Sequence, residues 1–156
     1  MTQDYYGTKR VTAWPAEKDG VPGYGVRYPN NYTSWSPAEA FEAAYQPITS
    51  MSFGHAIEAL KAGHKVARRG WNGKGMWLIL VPGTAPAYVK DGTPYHRALQ
   101  TELQVGRQAG STDIMAEILP HIDMWTTNSE GRRAMLPGWL ASQTDMLASD
   151  WYIVEC

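Results

Sequence analysis

The sequence predicts an α+β fold in which a small antiparallel sheet carries packed helices and is preceded by an N-terminal β-β-α unit. Residues 24–28 alternate tyrosine or valine with glycine or arginine, a period of two that indicates a strand. Phe53, Ile57 and Leu60 recur at i, i+4 and i+7, which indicates one apolar helix face. The turn residues 128–131 lie between two apolar runs and indicate a hairpin.

The N-terminal segment contains strand and turn signals. Residues 11–14 are predicted as a short strand that Pro15 ends, and residues 24–28 and 32–35 are predicted to pair across the turn at 29–31.

A helix is predicted directly after these strands. Ser36 is expected to cap it, Pro37 suits its first position, and Glu39 completes a capping box. About 40 residues are few for an independent core. Residues 1–48 are therefore predicted to form a small unit that leans on the rest of the chain or on another subunit.

Residues 49–156 are predicted to form the second domain. Gly63 is expected to end its first helix, and residues 64–69 look extended. Residues 76–81 are apolar on both faces, which predicts a central strand covered on both sides.

A long insertion at about residues 84–120 interrupts this domain. Leu99 and Leu103 suggest one helix there, and residues 114–119 suggest another. Beyond the hairpin, residues 142–145 match a capping box and residues 151–154 are predicted as the last strand.

Composition limits the classes of function. The chain has 156 residues and a formal net charge of −1, which argues against a protein held on a nucleic-acid polymer by phosphate contacts. Its single cysteine, Cys156, excludes an internal disulfide. No apolar run reaches the length of about 18 residues that a membrane helix needs, and the N-terminus lacks a secretory pattern. We expect a soluble cytoplasmic protein.

The first candidate site is a basic segment at residues 61–74. It contains no acid, and its five cations are Lys61, Lys65, Arg68, Arg69 and Lys74. These charges suit either an anion site or a solvated strand edge. The glycine-rich loop at 70–75 favours the anion site, because Trp71 offers a stacking face and Lys74 a charge for phosphate.

A second candidate site lies at residues 142–145. Ser142 and Thr144 could contact a polar ligand while Asp145 accepts hydrogen bonds from ribose hydroxyls, although simple helix capping also explains these residues. Catalytic patterns are not evident, since the four histidines lack metal-ligand spacing and no nucleophile elbow occurs. We therefore predict a protein that is not an enzyme, with no catalytic residue, metal or cofactor.

Three segments of the chain form specific motifs, MSFG at 51–54, KVARRGWNGKGM at 65–76 and LASQTDMLASDW at 140–151. Their sequence, order and spacing resemble the second Thoeris anti-defence family of small phage proteins. The resemblance covers about residues 51–83 and 121–155, and leaves out residues 1–48 and the insertion. It implies a sponge that sequesters cyclic ADP-ribose-type Thoeris signals in the host bacterial cytoplasm without degrading them. For some members it also implies a separate site for the cyclic oligonucleotide signals of CBASS.

The resemblance further implies a homotetramer with a ligand cleft between subunits. Phe53 and Trp71 would stack on a base, Lys74 and Met76 would border it, and residues 142–145 would reach it from a neighbouring chain. The expected partner is a nucleotide of the glycocyclic ADP-ribose type, with no nucleic-acid polymer and no membrane. The full set of expected ligand-binding residues is Phe53, Arg69, Trp71, Asn72, Lys74, Met76, Trp139, Ser142, Thr144 and Asp145.

Two other functions stay open at this point. One is a hydrolase of the same signal, which would need a positioned base, nucleophile or metal. The other is a phage interaction protein in which residues 1–48 dock a partner.

Overall fold

A computed structural model describes residues 2–72, 75–102, 106–107 and 109–155 and confirms the α+β class. In chain order its elements are β1 (Thr12–Lys18), β2 (Val21–Arg27), β3 (Thr33–Pro37), α1 (Ala38–Ala44), α2 (Phe53–Lys61), β4 (Lys65–Arg68), β5 (Trp77–Val81), β6 (Ala87–Val89), α3 (Pro94–Leu99), β7 (Ile114–Ala116), β8 (His121–Thr127), β9 (Arg133–Leu136), α4 (Gln143–Met146) and β10 (Trp151–Val154). The chain divides into two compact units, residues 1–72 with 141–156 and residues 73–140.

In the first unit, β1, β2 and β3 form an antiparallel sheet with β2 in the middle. Two buried glycines of β2 make room for large rings from its neighbours. A Cβ atom on Gly25 would lie 2.4 Å from the indole of Trp14, and one on Gly23 would lie 2.7 Å from that of Trp35. The glycines therefore let the tryptophans of both edge strands lie across the central strand.

The prediction that Pro15 ends the first strand is wrong. Strand β1 continues through Pro15, which lies opposite Tyr24, as far as Lys18. Proline removes one backbone donor, but β1 is an edge strand and pairs only with β2 in this sheet. An edge strand tolerates proline because one side of its backbone makes no ladder hydrogen bonds.

The prediction that Ser36 caps the next helix is also wrong. Ser36 lies in β3 opposite Tyr24, and α1 begins after Pro37 without a side-chain cap. A proline disfavours the helical conformation of the residue before it, which keeps Ser36 extended. Helix α1 packs on the sheet through Phe41, whose ring stacks on that of Tyr24 with ring centroids 4.4 Å apart.

The second helix follows the sequence prediction. Ser52 caps α2 by accepting a hydrogen bond from the backbone N–H of His55, and Gly63 ends it with a φ of 87°. The N–H groups of Gly63 and His64 bond back to the carbonyls of Leu60 and Ala59, which is a Schellman motif. Helix α2 packs against β4 and β10, which pair antiparallel. The buried residues of this part include Met51, Ala56, Ala59, Leu60, Val66, Ala67 and Trp151.

In the second unit, β8 pairs antiparallel with β5 and with β9, and the hairpin of β8 and β9 is confirmed. Leu78 in β5 is fully buried, whereas the other four residues of this strand are half-buried. Trp77, one of these residues, stacks on Trp125 with ring centroids 5.6 Å apart. The expectation of a strand covered on both sides therefore holds in full only for Leu78, because the other β5 residues keep part of their surface in solvent.

The insertion also differs from its prediction. Residues 114–116 form strand β7, which pairs with β6, so the predicted helix at 114–119 is wrong. Ile114 in this strand is fully buried. Periodicity alone cannot distinguish a buried strand from a buried helix in so short an apolar run. Helix α3 is present and ends at Leu99, while Leu103 lies outside the described residues.

Candidate functional site

Trp151 lies at the centre of an aromatic cluster in the first unit. Its side chain is fully buried at the start of β10. The ring of Phe53, at the start of α2, lies 5.3 Å from it, and the ring of Trp71 meets it edge-on at 5.4 Å. The structure thus gathers Phe53 and Trp71, two predicted site residues, on one buried indole. Both of them are half-buried and keep part of their surface in solvent.

The carboxylate of Asp145 fixes the outer part of this cluster. Its Oδ1 accepts hydrogen bonds from Trp71 Nε1 at 3.0 Å and from Arg68 Nη1 at 2.8 Å. Its Oδ2 accepts from the backbone N–H and the hydroxyl of Ser142 at 3.1 and 2.7 Å. Two carboxylate oxygens have about four lone-pair sites, so these donors fill the acceptor capacity of Asp145.

The predicted capping box is present and accounts for one of these four bonds. The Ser142 hydroxyl accepts from the N–H of Asp145 at 3.1 Å, and the Asp145 carboxylate accepts from the N–H of Ser142. The backbone carbonyl of Asp145 also accepts from the buried Nε1 of Trp151 at 3.0 Å. Asp145 therefore holds both tryptophans, one through its side chain and one through its main chain. A single chain is sufficient to bring Asp145 to Trp71.

Arg68 bridges two carboxylates. It donates through Nε to Asp150 and through Nη1 to Asp145, both at 2.8 Å, and its side chain is 12% exposed. Asp150 also accepts from the N–H of Gly70 at 2.7 Å. The hydrogen bond that Arg68 donates to Asp150 is the main cause that raises the pKa of Arg68, and the same bond lowers the pKa of Asp150.

The pKa of Asp145 reflects opposing causes. Burial, the largest single influence, raises it, because a carboxylate loses hydration in the interior. The hydrogen bonds from Ser142, Trp71 and Arg68 outweigh burial and lower the pKa to about 2. Asp145 is therefore ionised at neutral pH.

These contacts change the interpretation of the basic segment. The charge of Arg68 is neutralised by Asp145 and Asp150, and Lys61 pairs with Glu58 at 2.8 Å on the surface. Arg69 differs, because it donates from Nε and Nη2 to the carbonyl of Thr49 at 3.3 and 3.2 Å. Arg69 therefore has no carboxylate partner among the described residues, and an anion site in this segment would have to do without the charge of Arg68.

A planar support lies under this guanidinium. The central carbon of Arg69 is 5.1 Å from the ring centroid of Tyr152 in β10, a cation–π distance. Strand β10 thus supplies Trp151 for Trp71 and Tyr152 for Arg69. One strand orders both an aromatic and a cationic side chain of the loop that follows β4.

The sequence of the region that forms this cluster matches known anti-defence proteins. Residues 51–154 match the model of a family described as the Thoeris anti-defense 2-like domain. The chain is also 36% identical over 107 residues to "Thoeris anti-defense 2" of Bacillus phage SP01, an alignment that covers 69% of this chain and 98% of that protein. The chain belongs to the Thoeris anti-defense 2 family. Membership supports a phage anti-defence role, in which the protein counters the bacterial Thoeris defence system.

The family domain contains every residue of the aromatic cluster. Phe53, Trp71, Asp145 and Trp151 all lie between residues 51 and 154, whereas the sheet of β1, β2 and β3 precedes the matched region. Among the described residues, no helix combines the length and the apolar character needed to cross a membrane.

The other predicted site residues take different positions. Asn72 and Thr144 are exposed in the first unit. Met76 and Trp139 belong to the second unit. There, Met76 Sδ lies 3.6 Å from the hydroxyl of Thr126, and the backbone N–H of Trp139 donates to the carbonyl of Ile122 at 2.7 Å. Lys74 lies outside the described residues.

Sequence reasoning missed three members of this site. Trp151 and Tyr152 are predicted only as part of the last strand, and Asp150 is not among the expected site residues. The short apolar run at 151–154 indicates the strand but carries no information on which of its residues face the loop after β4. The available signal was the acid at position 150 followed directly by two aromatic residues, and it is weak.

Proposed function

We propose that the chain binds a cyclic ADP-ribose-type immune signal and sequesters it without degrading it. Family membership supplies the context, since the relative from Bacillus phage SP01 is a Thoeris anti-defense protein. The observation that carries the proposal is the position of Trp71, a partly exposed indole fixed by Asp145 and Trp151 two residues from the guanidinium of Arg69.

An adenine nucleotide needs an aromatic face and a cation. A base that stacks on tryptophan gains about 1–3 kcal/mol, and the gain tolerates any base because each has a π-face. The diphosphate of the ligand requires positive charge, and a guanidinium presents its donors in a planar fork that matches phosphate oxygens. Trp71 and Arg69 supply these two groups in the first unit.

The polar contacts in this proposal come from Thr144 and Asn72. Both side chains are exposed, whereas the oxygens of Asp145 are filled by four donors from Ser142, Trp71 and Arg68. The ribose contact proposed for Asp145 would require one of these bonds to break. We therefore assign the hydroxyl contacts to Thr144 and Asn72 and give Asp145 an internal role.

The acidic residues at this site support binding without turnover. A general base works best when its pKa lies near the working pH. The pKa of Asp145 is lowered to about 2, and the hydrogen bond from Arg68 lowers that of Asp150. Both carboxylates are weak bases that are already engaged, so neither is suited to activate water against the ligand.

Self-association is part of the proposal. Met146 and Leu147 are 46% and 85% exposed at the end of α4, next to Asp145. Apolar side chains in this position favour contact with another copy, and homo-oligomers have closed symmetry in most cases. We propose the homotetramer, acting in the host cytoplasm, with α4 at a contact between copies.

The deciding experiment separates a sponge from an enzyme and from an unrelated protein. Purified chain is mixed with cyclic ADP-ribose or its glycocyclic isomers, the affinity is measured by calorimetry, and the protein is then denatured by heat. A sponge returns the intact nucleotide in an amount no greater than the binding sites. Linear product in excess over protein would establish a hydrolase, and no binding of any isomer would contradict both. A parallel calorimetric titration with a cyclic dinucleotide tests whether the chain binds CBASS-type signals. Light scattering measures the molecular mass in solution and so tests the tetramer.

A further inference from the structure

We propose that Asp145 is a positioning residue that sets the orientation of the Trp71 indole for stacking. This inference rests on the proposed function, because it gives a purpose to the orientation of Trp71 in ligand binding. It assigns no direct ligand contact to Asp145.

The hydrogen bond between the two residues fixes an otherwise adjustable ring. Trp71 follows strand β4 by three residues, beside Gly70 and Asn72, so regular secondary structure does not hold its backbone. Its side chain has two rotatable bonds, and its indole meets the buried Trp151 edge-on at 78°. The bond from Nε1 to Asp145 Oδ1 at 3.0 Å adds a second, directional attachment.

Asp145 is itself held in place from three directions. Ser142 binds Oδ2 through the capping box, Arg68 binds Oδ1, and the main-chain carbonyl of Asp145 binds Trp151. Asp145 is only 9% exposed. A carboxylate fixed in this way can hold the orientation of a loop side chain, because moving it would break several bonds at once.

Preorganisation makes the hydrogen bond relevant to affinity. A ring that samples several orientations before binding loses that freedom on stacking, and the loss reduces affinity. Removing the bond is therefore expected to weaken binding even where the stacking face is retained. Trp71→Phe retains an aromatic face and removes the donor, whereas Asp145→Asn retains the side-chain shape and removes the charge.

The indole N–H signals of the full-length ¹⁵N-labelled chain provide a readout that a purely structural role would not change. Trp71→Phe identifies the Trp71 signal by its disappearance. In Asp145→Asn we expect that signal to shift upfield and to exchange faster with water. The Trp151 signal is the internal control, because its acceptor is the backbone carbonyl of Asp145 and survives the substitution.

A second control separates orientation from general loss of stability. Asp123 is also 9% exposed, and it accepts a hydrogen bond from the N–H of Gly138 in the second unit. Asp123→Asn removes an equally buried carboxylate and is expected to leave the Trp71 signal in place.

Binding of cyclic ADP-ribose completes the test. We expect Asp145→Asn and Trp71→Phe each to weaken affinity about tenfold, and the double variant to bind no more weakly than either single one. An unshifted Trp71 signal in Asp145→Asn would overturn the inference. Trp71→Phe binding as tightly as the parent would overturn it as well, and that variant decides the matter should Asp145→Asn fail to fold. A parent chain that binds no cyclic ADP-ribose would contradict the proposed function, while the indole signals would still decide the orientation.

Discussion

Arg68 and Asp150 are 82 residues apart in sequence, yet Arg68 Nε lies 2.8 Å from Asp150 Oδ1. The bond joins the end of β4 to the residue before β10, which are antiparallel neighbours with Trp151 opposite Arg68. The same guanidinium binds Asp145 at the end of α4. One arginine therefore connects three segments that surround the aromatic cluster.

Replacing Arg68 tests the strength of this connection. Arg68→Met keeps much of the side-chain length but leaves two poorly solvated carboxylates without their cation. Breaking a buried ion pair from one side costs about 3–5 kcal/mol, and the partial exposure of Asp150 places the expected loss near the lower value. The free energy of unfolding from urea titration measures it.

The control is an exposed pair in the same chain. Arg132 and Glu130 form an ion pair with both side chains more than half exposed. Arg132→Met is expected to cost less than about 1 kcal/mol. Equal losses in the two variants would contradict a special role for Arg68.

Acid should weaken the fold through Asp145. Its folded-state pKa is lowered to about 2 from the ordinary 3.8, so the unfolded chain binds a proton at a higher pH than the folded chain does. The stabilisation from Asp145, on the order of 2 kcal/mol, is complete above the pKa of the unfolded state. It is lost as the pH falls from about 4 towards 2.

The measurement is the free energy of unfolding from urea titrations between pH 7 and pH 2. Asp145→Asn should lower stability at pH 7 and flatten the acid side of the profile. An unchanged slope between pH 4 and pH 2 in this variant would show that Asp145 does not titrate as described.

The sequence predicts those parts of the site that depend on local chemistry. The capping box of Ser142 and Asp145 spans three residues, and Gly63 ends α2 one turn after Leu60, so both could be identified from spacing. The loop around Trp71 could be chosen from its glycines and its charge. Each of these signals acts within a few residues.

What the sequence did not predict depends on distant pairing. Trp71 and Asp145 were both candidates, but the hydrogen bond between them joins residues 74 apart. The charge of Arg68 was assigned to a ligand because its two carboxylate partners come from the far end of the chain. The prediction that Ser36 caps α1 failed for a different reason. Pro37 keeps the residue before it extended, and this effect outweighed the capping propensity of serine.

Glycine at position 23 should be required for the N-terminal sheet. A Cβ there would lie 2.3 Å from the backbone oxygen of Ser36, which cannot move without distorting β3. Gly23→Ala is expected to cost about 2 kcal/mol or more through overpacking. Limited proteolysis should then cut residues 12–37 faster than in the parent. Gly7→Ala is the matched control, because a Cβ there meets nothing within 4 Å, and equal protection of both variants would contradict the packing of Trp35 on Gly23.

Trp71→Ala should weaken nucleotide binding more than it weakens the fold. Loss of a stacking face lowers affinity by about ten- to a hundredfold. Because the indole contacts Asp145 and Trp151, we also expect a stability loss of about 1–2 kcal/mol from the hydrogen bond and the ring contact.

Trp77→Ala is the comparison that separates affinity from stability. Truncating a fully buried tryptophan to alanine costs about 3–5 kcal/mol. Trp77 is half-buried and stacks on Trp125, so the expected loss of stability lies at or below the lower value. Calorimetry with cyclic ADP-ribose and urea titration on both variants give the two quantities. If Trp77→Ala loses affinity as strongly as Trp71→Ala at equal stability, or if Trp71→Ala binds like the parent, Trp71 is not the stacking residue.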